Sequence, residues 1–223
     1  MKLLLTSAGV NNPTIREALV DLLGKPIAES NALFIPTGGY GNPYGSPAGV
    51  WRNISGNSQQ PMVELGWKSV GVLELTALPS MDEERWVKWV RDTDVLLVSG
   101  GDAAYLAHWM RESGLADLFP SLHDTVYVGF SAGSMVLTPR IGSDFMGWKP
   151  VIADNDSTLG VVDFSIFPHV DHPDLPENTM EAAEKWAAEV QVPAYAIDDD
   201  TAIKVVDDTV ELITEGHWKL FNA

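Results

Sequence analysis

The sequence predicts an α/β fold of three layers: a mostly parallel sheet flanked by helices, with a C-terminal β-hairpin. Two observations carry most of that expectation. Apolar runs of strand length recur at residues 2–6, 32–35, 69–73, 95–98 and 126–128, as buried parallel strands require. Amphipathic stretches with helical spacing lie between most of them, at 14–23, 83–90 and 103–110. Parallel neighbours need a crossover connection, and helical crossovers cover both faces of the sheet.

The first run, Met1-Lys2-Leu3-Leu4-Leu5, resembles the start of a secretion signal. It ends at Thr6-Ser7, too short for a signal h-region or a membrane span, and reads as the first buried strand of a cytoplasmic protein. Residues 38–47 are rich in Gly, Pro, Asn and Tyr and form a loop long enough to act as a lid or substrate-facing flap. Thr37-Gly38-Gly39 and Ser99-Gly100-Gly101-Asp102 each follow a strand, so they fall at the carboxyl edge, where open parallel sheets bind ligands. Beyond residue 155 come a run at 161–166, a helical pattern at 177–190, a strand at 194–197 and two alternating runs, 202–206 and 210–213. The last pair flanks Asp207-Asp208 as a hairpin. No linker, repeat or low-complexity tract interrupts the chain, so residues 1–223 are expected to form one domain.

Composition excludes several chemistries. The chain has no cysteine, which removes disulfides, thiolate metal sites and a cysteine nucleophile. A formal charge of −17, from 14 basic and 31 acidic residues, repels nucleic acid and anionic membrane surfaces, so neither is expected as a partner. His169 and His172 have the spacing of a metal pair but lack a convincing third ligand, and no metal is expected.

The most informative segment is Gly129-Phe130-Ser131-Ala132-Gly133, directly after the apolar run Thr125-Val126-Tyr127-Val128. It fits a nucleophile elbow, in which a strand turns sharply into a helix and presents a hydroxyl at the tip, with small neighbours to avoid clashes. Ser131 is the candidate nucleophile, with a helix continuing through residues 134–137. A serine needs a base, and the base an orienting acceptor. Among the five histidines His169 has the best address, at the end of Phe164-Ser165-Ile166-Phe167-Pro168, with His172 close behind. For the acid there are two candidates, Asp144 and the cluster Asp198-Asp199-Asp200; three adjacent carboxylates cannot all be buried, so one should face inward. The preferred order of Ser131, His169 and Asp199 differs from the Ser, acid, His order of α/β-hydrolases.

Taken together, the Gly-Gly turn at 99–102, the elbow at 129–134, Phe167-Pro168-His169 and the segment 196–202 resemble the dipeptidase E and cyanophycinase family of serine peptidases. That resemblance covers about residues 30 to 205. It implies a fold similar to the class I glutamine amidotransferase domain, flavodoxin-like in architecture, with serine in place of cysteine. It also implies an acyl-enzyme on Ser131, His169 as general base and then acid, and Asp199 where the family usually carries glutamate. Asp144 resembles another acid linked to activity in the family and is the second choice for the third member. Gly101 and Ala132 are the expected oxyanion-hole amides. Asp102 stands where the family commonly has asparagine and is grouped with the substrate-binding positions. Arg140 is the candidate reader of a substrate carboxylate, since family members of the dipeptidase E type prefer an N-terminal aspartate.

The resemblance implies a short peptide substrate and no cofactor, with a homodimer as the assembly to test. Two alternatives accompany it: a cyanophycinase-like hydrolase of Asp-Arg polymer, and an inactive amidotransferase-like binding module.

Overall fold

In a computed structural model, which describes residues 1–146 and 153–223, the strands are β1 (Lys2–Thr6), β2 (Asn31–Ile35), β3 (Ser69–Val72), β4 (Val95–Val98), β5 (Val126–Phe130), β6 (Ser165–Phe167), β7 (Ala194–Ile197), β8 (Thr201–Val206), β9 (Thr209–Thr214) and β10 (Trp218–Phe221). The helices are α1 (Pro13–Leu23), α2 (Gly38–Gly41), α3 (Pro47–Ile54), α4 (Glu83–Arg91), α5 (Ala103–Glu112), α6 (Leu115–Leu118), α7 (Ala132–Met135) and α8 (Met180–Val190).

Seven strands form one sheet in the order β3-β2-β4-β5-β1-β8-β9. β3, β2, β4, β5 and β1 run parallel; β8 joins β1 antiparallel and turns back as a hairpin with β9. The alternation of side chains along each strand builds the layers. Leu3, Leu5, Leu96, Val98 and Tyr127 enter one core with Trp86, Leu106 and Met110 from α4 and α5. Leu4, Val95, Leu97, Val126 and Val128 enter the opposite core with Ile15, Leu19 and Leu22 of α1. α1 starts where Asn12 accepts the amide of Ile15 ahead of Pro13, and it stops at Gly24, whose φ of 66° is left-handed.

Four features depart from or add to the sequence expectation. β6 and β7 do not extend the main sheet; with β10 they form a second, three-stranded sheet in the order β10-β7-β6. β10 was not anticipated, nor was α3, which follows directly on the Gly-rich loop. The helix after the elbow ends at Met135 rather than continuing to residue 137.

The elbow itself is held from below. The buried Tyr127 hydroxyl donates to the Gly133 carbonyl at 2.6 Å, tying β5 to α7. Tyr127→Phe leaves that carbonyl buried without its donor, and we expect a loss of about 1–3 kcal/mol in stability. Urea denaturation of the variant, read as a lower midpoint at unchanged slope, checks this.

Candidate active site

Ser131 sits between β5 and α7 with φ 52° and ψ −119°, backbone angles that an L-residue adopts only when its surroundings impose them. The surroundings are close. A Cβ at Gly129 would collide with the Gly133 carbonyl, and one at Gly133 would collide with Val98 O, so both small positions of the elbow are obligatory. The Ser131 amide donates to the carbonyls of both Thr6 (3.1 Å) and Ser7 (3.0 Å) at the end of β1. Thr6 Oγ1 in turn donates to Gly129 O at 2.8 Å, and Ser134 Oγ donates to Thr6 O at 2.8 Å. The nucleophile position is therefore stitched to the neighbouring central strand.

The base and acid stand on the other side of Ser7. His169 Nδ1 lies 2.6 Å from Asp199 Oδ1. The Ser7 hydroxyl donates to the same Asp199 oxygen at 2.8 Å and accepts the backbone amide of His169 at 2.8 Å. With Nδ1–H given to the carboxylate, Nε2 of His169 is left as the proton acceptor. His172 approaches the other carboxylate oxygen, Nε2 to Oδ2 at 3.5 Å, while its Nδ1 accepts the amide of Asp174. Burial opposes ionisation of Asp199, but the hydrogen bond and charge of His169, the Ser7 hydroxyl and the charge of His172 outweigh it and hold the carboxyl below its ordinary range. Among the described residues the Ser131 hydroxyl makes no hydrogen bond.

The loop after β4 reaches the same place. Gly100 lies so near that an added Cβ would stand 3.1 Å from Ser131 Cβ. Gly101 has φ 131°, and a Cβ there would overlap the Gly38 carbonyl, so only glycine fits. Asp102 N donates to Gly38 O at 3.0 Å, joining this loop to the one after β2. Among the described residues no hydrogen bond occupies the amide of Gly101 or of Ala132.

The remaining sequence candidates are placed differently. Asp144 is exposed on the short turn Ser143–Phe145, away from the hydrogen bonds of His169. Arg140 already has partners: its guanidinium pairs with Asp156 at 3.0 Å and donates to the carbonyls of Glu189 and Val190 at the C-terminal end of α8. Asp102 is also occupied, as N-cap of α5 through the Tyr105 amide at 2.9 Å; desolvation raises its pKa against the pull of the Tyr105 and Ala104 amides. Within the acidic cluster two carboxylates rather than one are engaged. Asp198 is buried and accepts Thr201 and His217, Asp199 takes His169, and Asp200 is exposed. Ser7 was missed altogether; its one sequence signal is its place directly after a buried strand, the position that marked the other site loops.

The described site thus combines an elbow serine, a histidine bonded to a carboxylate and, among the described residues, two amides without a hydrogen bond. Family comparison gives the particular lineage: residues 3–213 match the model of peptidase family S51, and the chain belongs to that family. It is 26% identical over 141 residues to a peptidase E of Nostoc sp., a match covering 59% of this chain and 57% of that one. It is 28% identical over 119 residues to an uncharacterized peptidase of Listeria monocytogenes, covering 51% and 57%. These matches therefore span just over half the length of either relative. Among solved structures, a candidate peptidase E of Listeria monocytogenes superimposes with a TM-score of 0.69 at 20% identity, covering 96% of this chain and 98% of that one. A peptidase from an acI-B1 Actinobacterium gives 0.56, also at 20% identity, covering 100% and 94%. At these identities the structural likeness concerns the fold.

The depressed Asp199 pKa has a sign that can be tested. A carboxyl held below its unfolded value adds stability above that value, near pH 4, and loses it as pH falls through the folded value. The stability gap between the wild-type chain and Asp199→Asn should thus be widest above about pH 5 and should close on acidification. Chemical denaturation at a series of pH values measures it, and a gap independent of pH would refute the assignment of Asp199 as an ionised partner.

Proposed function

We propose that the protein is a serine peptidase that cleaves short peptides through an acyl-enzyme on Ser131. The observation that carries this reading is the 2.6 Å contact of His169 Nδ1 with Asp199, set one residue, Ser7, away from the strained elbow. In the proposed reaction Ser131 Oγ attacks the peptide carbonyl carbon as its proton passes to His169 Nε2. The amides of Gly101 and Ala132 receive the negative charge on the carbonyl oxygen. His169 then protonates the leaving amine, the C–N bond breaks, and water repeats the sequence on the ester. Asp199 keeps Nδ1 protonated and stabilises the imidazolium in each half.

Membership of a peptidase family supports the bond type, and the partner is accordingly a short peptide. A preference for N-terminal aspartate has weaker support, because Arg140 is committed to Asp156. A cytoplasmic site of action is part of the proposal; Leu3-Leu4-Leu5 is a buried stretch of the central strand β1, and among the described residues no helix is long and apolar enough to cross a membrane.

A fluorophosphonate probe labels only an activated serine, so it separates a peptidase from an inactive binding module; labelling should vanish in Ser131→Ala and fall steeply in His169→Ala. A panel of dipeptides and tripeptides with free and blocked amino termini then defines the substrate. Wild-type chain that takes no label and cleaves nothing on the panel would sink the proposal.

The acid is tested by kinetics. Asp199→Asn should lower kcat by ~10²-fold or more, in line with measured triad-acid effects, with little change in KM, whereas Asp144→Asn should leave kcat within about twofold. Steady-state kinetics on the best panel peptide check both, and the reverse ranking would move the role to Asp144.

A further inference from the structure

A second histidine lies between two carboxylates next to the first. His217 Nδ1 stands 2.9 Å from Asp198 Oδ2, and its Nε2 stands 3.0 Å from Asp171 Oδ2. Asp198 precedes Asp199 in the turn after β7, and Asp171 lies between His169 and His172. The ring thus joins the two segments that supply the candidate acid and base. Its own address is fixed by β10, where Trp218 pairs with Ile197 and brings residue 217 opposite Asp198; there His217 N donates to Asp198 Oδ2 at 2.7 Å and Asp198 N donates to His217 O at 3.2 Å.

Only the imidazolium donates from both ring nitrogens, so the complete bridge carries one positive charge between two negative ones. Asp198 is anchored independently by Thr201 Oγ1 at 2.6 Å and is nearly buried, so it is the fixed end. The other end is the loop after β6, where His169 and Asp171 both have left-handed backbones, φ 59° and 56°, and where Val170 N donates to Ile197 O at 3.1 Å, so the bridge adds a side-chain link beside that backbone bond. Asp171 N donates to Asn178 O at 2.7 Å, which holds the loop to the chain that follows it but not to the acid turn.

We propose that His217 is a positioning residue that fastens the His169 loop to the Asp199 turn and so sets the His169–Asp199 geometry. This rests on the reading of Ser131, His169 and Asp199 as a triad. A bridge of this kind acts on the transition state through orientation, so its loss lowers kcat with little effect on KM.

The test uses His217→Ala, Asp171→Asn and the double variant. His217→Ala should lower kcat by about tenfold with KM within about twofold, Asp171→Asn should lower it less, and the double variant should be no worse than His217→Ala, because both remove the same link. A second readout needs no activity. In Ser131→Ala protein the proton on His169 Nδ1 should give a downfield NMR signal that shifts or broadens in His217→Ala and in Asp171→Asn. Wild-type kcat or an unmoved His169 signal in both variants would overturn the proposal, as would additive losses in the double variant. If His217→Ala disturbs β10 and fails to fold, Asp171→Asn, which leaves that strand untouched, decides by the same two readouts. If the protein cleaves no peptide, the NMR signal still decides whether the bridge sets the histidine.

Discussion

The site depends on one strained residue and on the strand beside it. Ser131 is kept at φ 52° because its amide is shared between the carbonyls of Thr6 and Ser7, an arrangement that an extended backbone at position 131 would break. Left-handed backbone in a non-glycine residue costs on the order of 1–3 kcal/mol and persists where neighbouring contacts over-determine it. Here the neighbours belong to the end of β1, which pairs parallel with β5 in the centre of the sheet. The same two residues then serve the rest of the site: Thr6 Oγ1 holds Gly129 O, and Ser7 Oγ meets both the amide of His169 and the carboxylate of Asp199. The end of β1 thus bonds to all three candidate residues, Ser131, His169 and Asp199.

The acidic turn shows how three adjacent carboxylates coexist. Asp198 is nearly buried but has Thr201 and His217 as donors, Asp199 has His169 and Ser7, with His172 Nε2 3.5 Å away, and Asp200 faces solvent. Each inward carboxylate thus has its own donors, which is the condition under which like charges at neighbouring positions can remain ionised. The backbone of the turn is also fastened, since Asn11 donates to Asp199 O at 2.7 Å and Asn12 to Asp200 O at 3.1 Å. Both asparagines lie just beyond Ser7, so the acid is referred to the same strand end as the serine.

Much of this was legible in the sequence. The strands at 2–6, 32–35, 95–98 and 126–128 announce themselves because a strand buried on both faces must be apolar throughout, and the small elbow positions match the collisions a Cβ would meet at Gly129 and Gly133. What stayed hidden depends on contacts between distant segments. Trp218-Lys219-Leu220-Phe221 is a short, half-exposed run whose role as β10 comes only from pairing with β7. Ser7 is one serine after a strand until the fold sets it 162 residues away against His169. Arg140 was legible as a charge but not as a partner, since no sequence pattern pairs it with Asp156.

Two departures from the family pattern acquire a physical reason at this level. Asp102 stands where asparagine is common, and the side-chain work observed there is to accept the Tyr105 amide at the start of α5; Asn and Asp cap helices about equally well, so the exchange preserves the cap and leaves the Gly101 backbone as it was. Asp199 is one methylene shorter than glutamate, yet its carboxylate meets His169 at 2.6 Å. The turn carrying Asp199 is held by Asn11, and the histidine loop by the His169 amide on Ser7. Both contacts refer again to the chain leaving β1, so the placing of an acid at residue 199 depends on residues 7 and 11, far from it in sequence but at one strand end.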